Sequence, residues 1–220
     1  MLFLPNVMKR CQIERKIHMN RKIAVLLANG FEEGEALFVI DILRRAGFQC
    51  DGIALETKEV QGSHGIRVFA DRMLEEVNCM EYDMVVLPGG LPGANTLRDC
   101  KTVIDWIKAF ADDSEKFIGA ICAAPQVLAK ADVVRGKKLT SYPGEKYKAL
   151  FTDSDYIDDN ERMEECVVVD GNLITSRGPG TTLPFSYKLV EVLGGNACQL
   201  KKAMQYNALK SSLTKEGTQA

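Results

Sequence analysis

Cys122 stands at the end of a short apolar run, Phe117 to Ile121, and is followed by Ala123-Ala124-Pro125. A strand that delivers a cysteine onto the start of a helix among small residues has the layout of a nucleophile elbow, a sharp turn that exposes the reactive side chain. Free N–H groups and the helix dipole at that place favour an anion, so the sequence predicts a Cys122 thiol that ionises below its ordinary value of ~8.5. Backbone amides of Ala123 and of the pair Gly89 and Gly90, in Leu87-Pro88-Gly89-Gly90, can converge as an oxyanion hole. The same spacing fits a cysteine that only fills a core as a small apolar group. Acids for proton transfer lie in Phe31-Glu32-Glu33-Gly34-Glu35. There Glu32, Glu33 and Glu35 are equally compatible with acids of a helical first turn, stabilised by its dipole.

Other chemistries find less in the chain. It has two histidines, His18 and His64, and seven cysteines with no C-x-x-C pair. That pattern gives neither a zinc site nor a disulfide framework, and it suits a reducing, cytoplasmic compartment. The acid-rich stretch Asp153 to Glu165 invites a calcium reading, but an EF-hand register from Asp153 puts Ile157 at a ligand position and Asp158 where glycine is needed. It reads as a solvated loop. No metal site is expected from these residues.

The elements that must position these residues alternate between β-rich runs and helical periods, as in a parallel sheet covered by helices. Strands are expected at Ile23 to Ala28, Ile53 to Leu55, Asp83 to Leu87, Phe117 to Ile121, Leu139 to Ser141, Val167 to Val169 and Leu173 to Thr175. A hairpin turn is expected at Gly62-Ser63-His64-Gly65, with Ile66 to Phe69 as its return strand. The spacing of Leu37, Ile40, Leu43 and Arg44 predicts a helix over Glu35 to Ala46 that Gly47 closes. Further helices are predicted over Thr102 to Ala111, Ala123 to Ala131 and Pro184 to Leu193. The reading is one doubly wound α/β domain, in which ligands sit at the carboxyl ends of the strands.

A chain of 220 residues at 46% hydrophobic and 26% charged has the make-up of one ordinary globular domain. Its net charge of −2 gives no electrostatic reason for a nucleic-acid or anionic-membrane partner. No run approaches the ~18 apolar residues of a membrane helix. Residues 1–21 form a basic extension, expected to be disordered, whose apolar start precedes its charges in the wrong order for a signal peptide. A transit peptide would also be basic and poor in acids, but this segment lacks serine. The folded chain is expected to start near Met19 and to span 22–207, with 208–220 as a loose polar tail.

Five segments in register carry a family resemblance: Ala28 to Glu35, Asp41 to Gly47, Val85 to Gly90, Gly119 to Pro125 and Thr175 to Thr181. Together they resemble the ThiJ/PfpI superfamily, in its parkinsonism-associated deglycase branch, from about Lys22 to about Gly194. The resemblance implies a homodimeric flavodoxin-like domain that needs no cofactor and carries a reactive cysteine at Cys122. It selects Glu35 as the carboxyl beside that thiol, read as protonated and donating to the thiolate. It also implies that His64, Arg45, Arg177 and Pro179 lie around the site or near the partner subunit.

The chain departs from that pattern at Tyr142, where human-like members have a histidine proposed as a proton shuttle. A phenol near ~10 is a poor base at neutral pH but can hydrogen-bond or act as an acid. Peptidase members place histidine directly after the cysteine, and here that residue is Ala123. The expected function is therefore glyoxalase or deglycase chemistry on a small reactive carbonyl such as methylglyoxal, with Cys122, Glu35 and Tyr142 as catalytic residues. The rivals are a redox-sensing or chaperone-like stress protein in which Cys122 is oxidised to sulfinic acid, and a small-molecule hydrolase with the same nucleophile. Thiazole-phosphate synthesis finds no P-loop.

Overall fold

The computed structural model describes residues 21–157 and 166–216. The basic leader with His18 and Met19, the acidic run 158–165 and the last four residues lie outside the described residues. Strand β1 (Lys22–Leu27) is buried almost throughout, as an apolar run without alternation requires. It lies between β2 (Gln49–Ala54) and β6 (Met84–Leu87), parallel to both. Strand β7 (Phe117–Ile121) extends the parallel sheet beyond β6, and β11 (Leu173–Ser176) extends it beyond β7. Strand β10 (Val167–Asp170) closes that edge antiparallel to β11, and β5 (Arg72–Met73) pairs with β2 at the other edge. Two small ribbons stand apart. One is the expected hairpin, β3 (Glu59–Gln61) with β4 (Arg67–Phe69), and the other pairs β8 (Lys138–Leu139) with β9 (Asp155–Tyr156).

Helix α1 (Glu33–Arg45) crosses from β1 to β2 in one direction. Helices α2 (Gly93–Asp99) and α3 (Lys101–Asp112) cross from β6 to β7 in the other. Right-handed crossovers in opposite directions put helices on opposite faces of the sheet. Accordingly, α1 packs with α6 (Thr182–Val192), whereas α2 and α3 pack with α4 (Pro125–Lys130). The short α5 (Glu145–Lys148) follows β8. This is the doubly wound, flavodoxin-like fold expected, and its chain direction switches between β1 and β6. A crevice opens at such a switch, outside the carboxyl ends of the strands. Among the described residues no helix is long and apolar enough to cross a membrane.

The structure adds to the sequence reading in two helices and corrects it at the C-terminal segment. In α1 the buried apolar residues are Ala36, Val39, Ile42 and Leu43, while Leu37 is exposed and Ile40 only partly covered. The helix carries apolar residues on two sides, and the sheet takes only one of them. Helix α2 escaped the periodicity because only Ala94 and Leu97 mark its buried face. Residues 208–216 are helical rather than a loose tail: after α7 (Ala197–Ala203), helix α8 runs from Tyr206 to Glu216. Its sequence has no glycine or proline, and the Tyr206 ring packs on Tyr187 at 5.0 Å. Gly47 ends α1 as expected, with φ +88° and its N–H donating to the Arg44 carbonyl.

Candidate active site

The loops after β1, β6 and β7 meet at the crevice. Cys122 follows β7 directly and adopts φ +62°, a left-handed conformation that a side chain of its kind rarely takes. Two hydrogen bonds hold it there: the Cys122 N–H donates to the Ser176 carbonyl at 3.0 Å, and its carbonyl accepts from the Tyr142 N–H at 2.7 Å. Strain fixed by surrounding bonds is the mark of a nucleophile elbow. The thiol is 9% exposed, and the amides of Ala123 and Gly90 hydrogen-bond to its sulfur.

Glu35 lies in the first turn of α1 and is fully buried. Its placement begins with Glu32, the helix N-cap, whose carboxylate accepts the Glu35 N–H at 2.6 Å. One Glu35 oxygen, Oε2, accepts the Gly89 N–H at 2.7 Å, and the other, Oε1, is buried without a hydrogen-bond partner of good geometry. Gly89 sits between acid and thiol. A Cβ there would lie 2.6 Å from the Cys122 Cβ and 2.7 Å from Glu35 Oε2, so only glycine permits the approach.

Burial pushes Glu35 up to about 7, and the charge of Glu32 adds to the rise, while hydrogen bonds from Gly89 and Cys122 oppose it. Cys122 is also pushed up, by burial first and then by the facing Glu35 charge; the amides of Ala123 and Gly90 pull the other way without prevailing. This corrects the expected lowering of the thiol. The cause is the desolvation of the covered sulfur, reinforced by the charge of Glu35 and the hydrogen bond to it. Two groups so close titrate as a pair. A carboxyl near 7 is matched to giving and taking protons at neutral pH.

The other expected residues divide. The Ala123 and Gly90 amides face the sulfur, but the Gly89 amide is taken by Glu35 and is no oxyanion donor. Tyr142 is anchored to the elbow through its backbone, and its ring stands 48% exposed. A cavity of about 300 Å³ beside it is lined by Tyr142, Pro143, Cys166, Arg177, Pro179 and Thr181, together with two glycines. Arg177 and Pro179 thus share a cavity with Tyr142, though Cys122 itself does not line it. Arg45 lies elsewhere, in the last turn of α1, paired with Asp41 at 2.8 Å, and ten residues of helix separate it from Glu35 by about 15 Å.

His64 also stays away from Cys122 within the protomer. Its Nδ1 lies 2.9 Å from Glu33, whose carboxylate also accepts the backbone N–H groups of His64 and Ile66. Burial alone would raise Glu33, yet these hydrogen bonds outweigh it and hold the acid at about 2. Glu32, Glu33 and His64 bring three ligand atoms within 4.8 Å of one another. Because the Glu33 oxygens and Glu32 Oε2 already accept protein N–H groups, the cluster is a clasp between α1 and the hairpin turn.

Sequence reasoning missed Tyr147. It is 8% exposed, touches the Tyr142 ring edge-on, and is close enough to Cys122 for the two to interact electrostatically. The available signal was a second tyrosine five residues after Tyr142, beyond the turn at Pro143-Gly144.

The family model of the DJ-1/PfpI family matches residues 21–192. The chain belongs to the DJ-1/PfpI family. Protein dj-1beta of Drosophila melanogaster is 43% identical over 178 residues, covering 80% of this chain and 91% of the relative. The crystal structure of Drosophila melanogaster DJ-1beta superposes with a TM-score of 0.78 at 38% identity, covering 84% of this chain and 98% of that one. A protein named deglycase PYRAB04690, from Pyrococcus abyssi, is 33% identical over 172 residues, covering 78% of this chain and 99% of its own. The DJ-1/PfpI match takes in the three loops that carry Glu35, Gly89 and Cys122, so the resemblance and the geometry meet at the same crevice.

Proposed function

We propose that this DJ-1/PfpI protein processes small α-oxoaldehydes, as a glutathione-independent glyoxalase or a deglycase. The observation that carries the reading is the Cys122 thiol beside a buried carboxyl whose pKa is raised to about 7. The name of the Pyrococcus abyssi relative, a deglycase, agrees with it.

With methylglyoxal, Glu35 takes the thiol proton as the Cys122 sulfur bonds to the aldehyde carbon and passes it to the carbonyl oxygen, which completes a hemithioacetal and frees the carboxylate. Glu35 next removes the proton on that carbon and returns it to the neighbouring carbon while the hydroxyl proton passes to the neighbouring oxygen, giving a lactoyl thioester. Water then cleaves the sulfur–carbon bond, releasing lactate and restoring the thiol. The amides of Ala123 and Gly90 stand beside the sulfur, where negative charge on the adjacent oxygen develops. Tyr142 donates a hydrogen bond to that oxygen. With a glycated amine, the sulfur displaces the amine from the carbinol carbon, the amine leaves with the proton that Glu35 took from the thiol, and the same hemithioacetal results.

The protein works as a homodimer in this proposal, through the face where Leu37 and Phe38 of α1 and Ile66 of the hairpin are exposed. A reducing cytoplasm is the compartment proposed for it, in keeping with seven scattered cysteines that form no C-x-x-C pair. A second reading, oxidation of Cys122 to a sulfinic acid as a stress signal, draws on the same two amides, which would receive the oxygens of an oxidised sulfur.

The deciding experiment measures lactate formed from methylglyoxal without glutathione, for the native protein, Cys122→Ser and Glu35→Gln. Turnover in the native protein and loss in both variants is the expected result. Absence of native turnover, with Cys122 verified as a free thiol, refutes the enzyme reading and favours the second.

A further inference from the structure

Tyr142 and Tyr147 belong to the segment that leaves β8 and folds over the elbow. The Tyr142 backbone is fixed to the Cys122 carbonyl, but nothing in that bond fixes its ring. Two neighbours do. The Tyr147 ring meets it at a centroid distance of 6.2 Å and an interplanar angle of 70°, the edge-to-face geometry that aromatic pairs favour. Gly178 also lies against the ring, and a Cβ there would stand 3.7 Å from it. Tyr147 is itself immobilised, buried in the core cluster with its N–H donating to the Gly144 carbonyl at 3.0 Å. The exposed phenol is thus backed by a buried one, at the mouth of the cavity that Arg177 and Pro179 also line.

We propose that Tyr147 is a positioning and specificity-determining residue: its ring holds the Tyr142 phenol over Gly178, so that the way to Cys122 admits small planar carbonyl compounds and hinders bulky ones. The proposal rests on the reading of Cys122 as the reactive thiol. It concerns the edge of the Tyr147 ring, not its hydroxyl. Tyr147 acts through Tyr142 and has no step of its own in the reaction.

The test compares rates of Cys122 alkylation by a small probe, iodoacetamide, and a bulky one, N-phenylmaleimide, read on the Cys122 peptide by mass spectrometry. In Tyr147→Leu the ratio of small-probe to bulky-probe rates is expected to fall about threefold, the factor that one edge-to-face contact sustains. Tyr147→Phe keeps the edge and should restore the native ratio. Tyr142→Ala alone should lower the ratio, and adding Tyr147→Leu to it should lower it no further. An unchanged ratio in Tyr147→Leu, an equal fall in Tyr147→Phe, or additive losses in the double variant would overturn the proposal. If Tyr147→Leu does not fold, Tyr142→Ala decides, because the exposed residue can be removed without disturbing the core; an unchanged ratio there leaves no gate to position. A Cys122 that neither probe modifies in native protein refutes the underlying reading instead, which keeps the two failures apart.

Discussion

Glu35 and Cys122 face each other across Gly89, whose absent side chain would meet the thiol-bearing Cβ at 2.6 Å and the carboxyl oxygen at 2.7 Å. Each group sits at the end of a different strand, so their encounter depends on the sheet and on one residue without a Cβ. Gly89→Ala must push β6 away from the elbow or turn the carboxyl aside. Overpacking of this kind costs about 1–3 kcal/mol. The expected outcome is a lowered melting temperature and lactate formation from methylglyoxal reduced about a hundredfold, the effect of misplacing a catalytic group by about 1 Å. Native-like turnover in a folded Gly89→Ala variant would remove the close approach from the mechanism.

The Glu35 carboxyl also makes stability depend on pH in a definite direction. In the unfolded chain it ionises near its ordinary value of 4.5, and in the folded protein burial delays this to about 7. Its neutral form therefore favours the fold below pH 4.5, and that contribution is lost as the pH rises to about 7. Relative to Glu35→Gln, which stays neutral throughout, the native protein should lose up to about 3 kcal/mol over that interval and then level off. Urea midpoints at pH 5, 6, 7 and 8 for both proteins check this. A constant difference would mean that Glu35 ionises in the usual carboxylate range.

The clasp between His64 and Glu33 shifts stability in the same direction, though here the charged form of the group favours the fold. Hydrogen bonding to Glu33 raises the His64 pKa above its ordinary 6.5. Its contribution is complete below 6.5 and disappears as the pH rises through the folded value. Hydrogen exchange at Gly62 to Ile66 should therefore speed up above neutrality in the native protein beyond the intrinsic rise with pH, and His64→Gln should show the faster exchange already at pH 6. Equal protection in both proteins at pH 6 would show that the backbone bonds to Glu33 hold the hairpin unaided.

The legible parts of this molecule were those set by local pattern. Phe117 to Ile121 reads as a buried strand because every residue is apolar or small, and the elbow follows because Cys122 is flanked by alanines. What stayed hidden depends on contacts between distant segments. The Gly89 amide looks free in the sequence, and only the arrival of Glu35 from another strand end takes it up. The direction of the Cys122 shift failed for the same reason: a helix terminus is visible locally, whereas burial and a facing carboxyl are not. Tyr147 was overlooked because its ring matters only through the fold of the segment that brings it to Tyr142. In α1, the periodicity found a helix but could not say which of its two apolar sides the sheet would cover.

The uncovered side of α1 leads to a prediction about assembly. Leu37 and Phe38 leave the helix beside Ile66 of the hairpin, around a depression of about 410 Å³ rimmed by Glu33 and Asp41. Single exposed apolar side chains are ordinary, but three from two elements form a patch of the kind that marks a contact. A second copy meeting this face would cover the apolar side chains of both and bring each hairpin, with His64, near the other protomer. Phe38→Glu would put a charge where the contact must be dry. Light scattering should give twice the 24.3 kDa chain mass for the native protein and the single chain mass for Phe38→Glu. A native protein that stays at the single mass at high concentration would show that the patch serves another purpose.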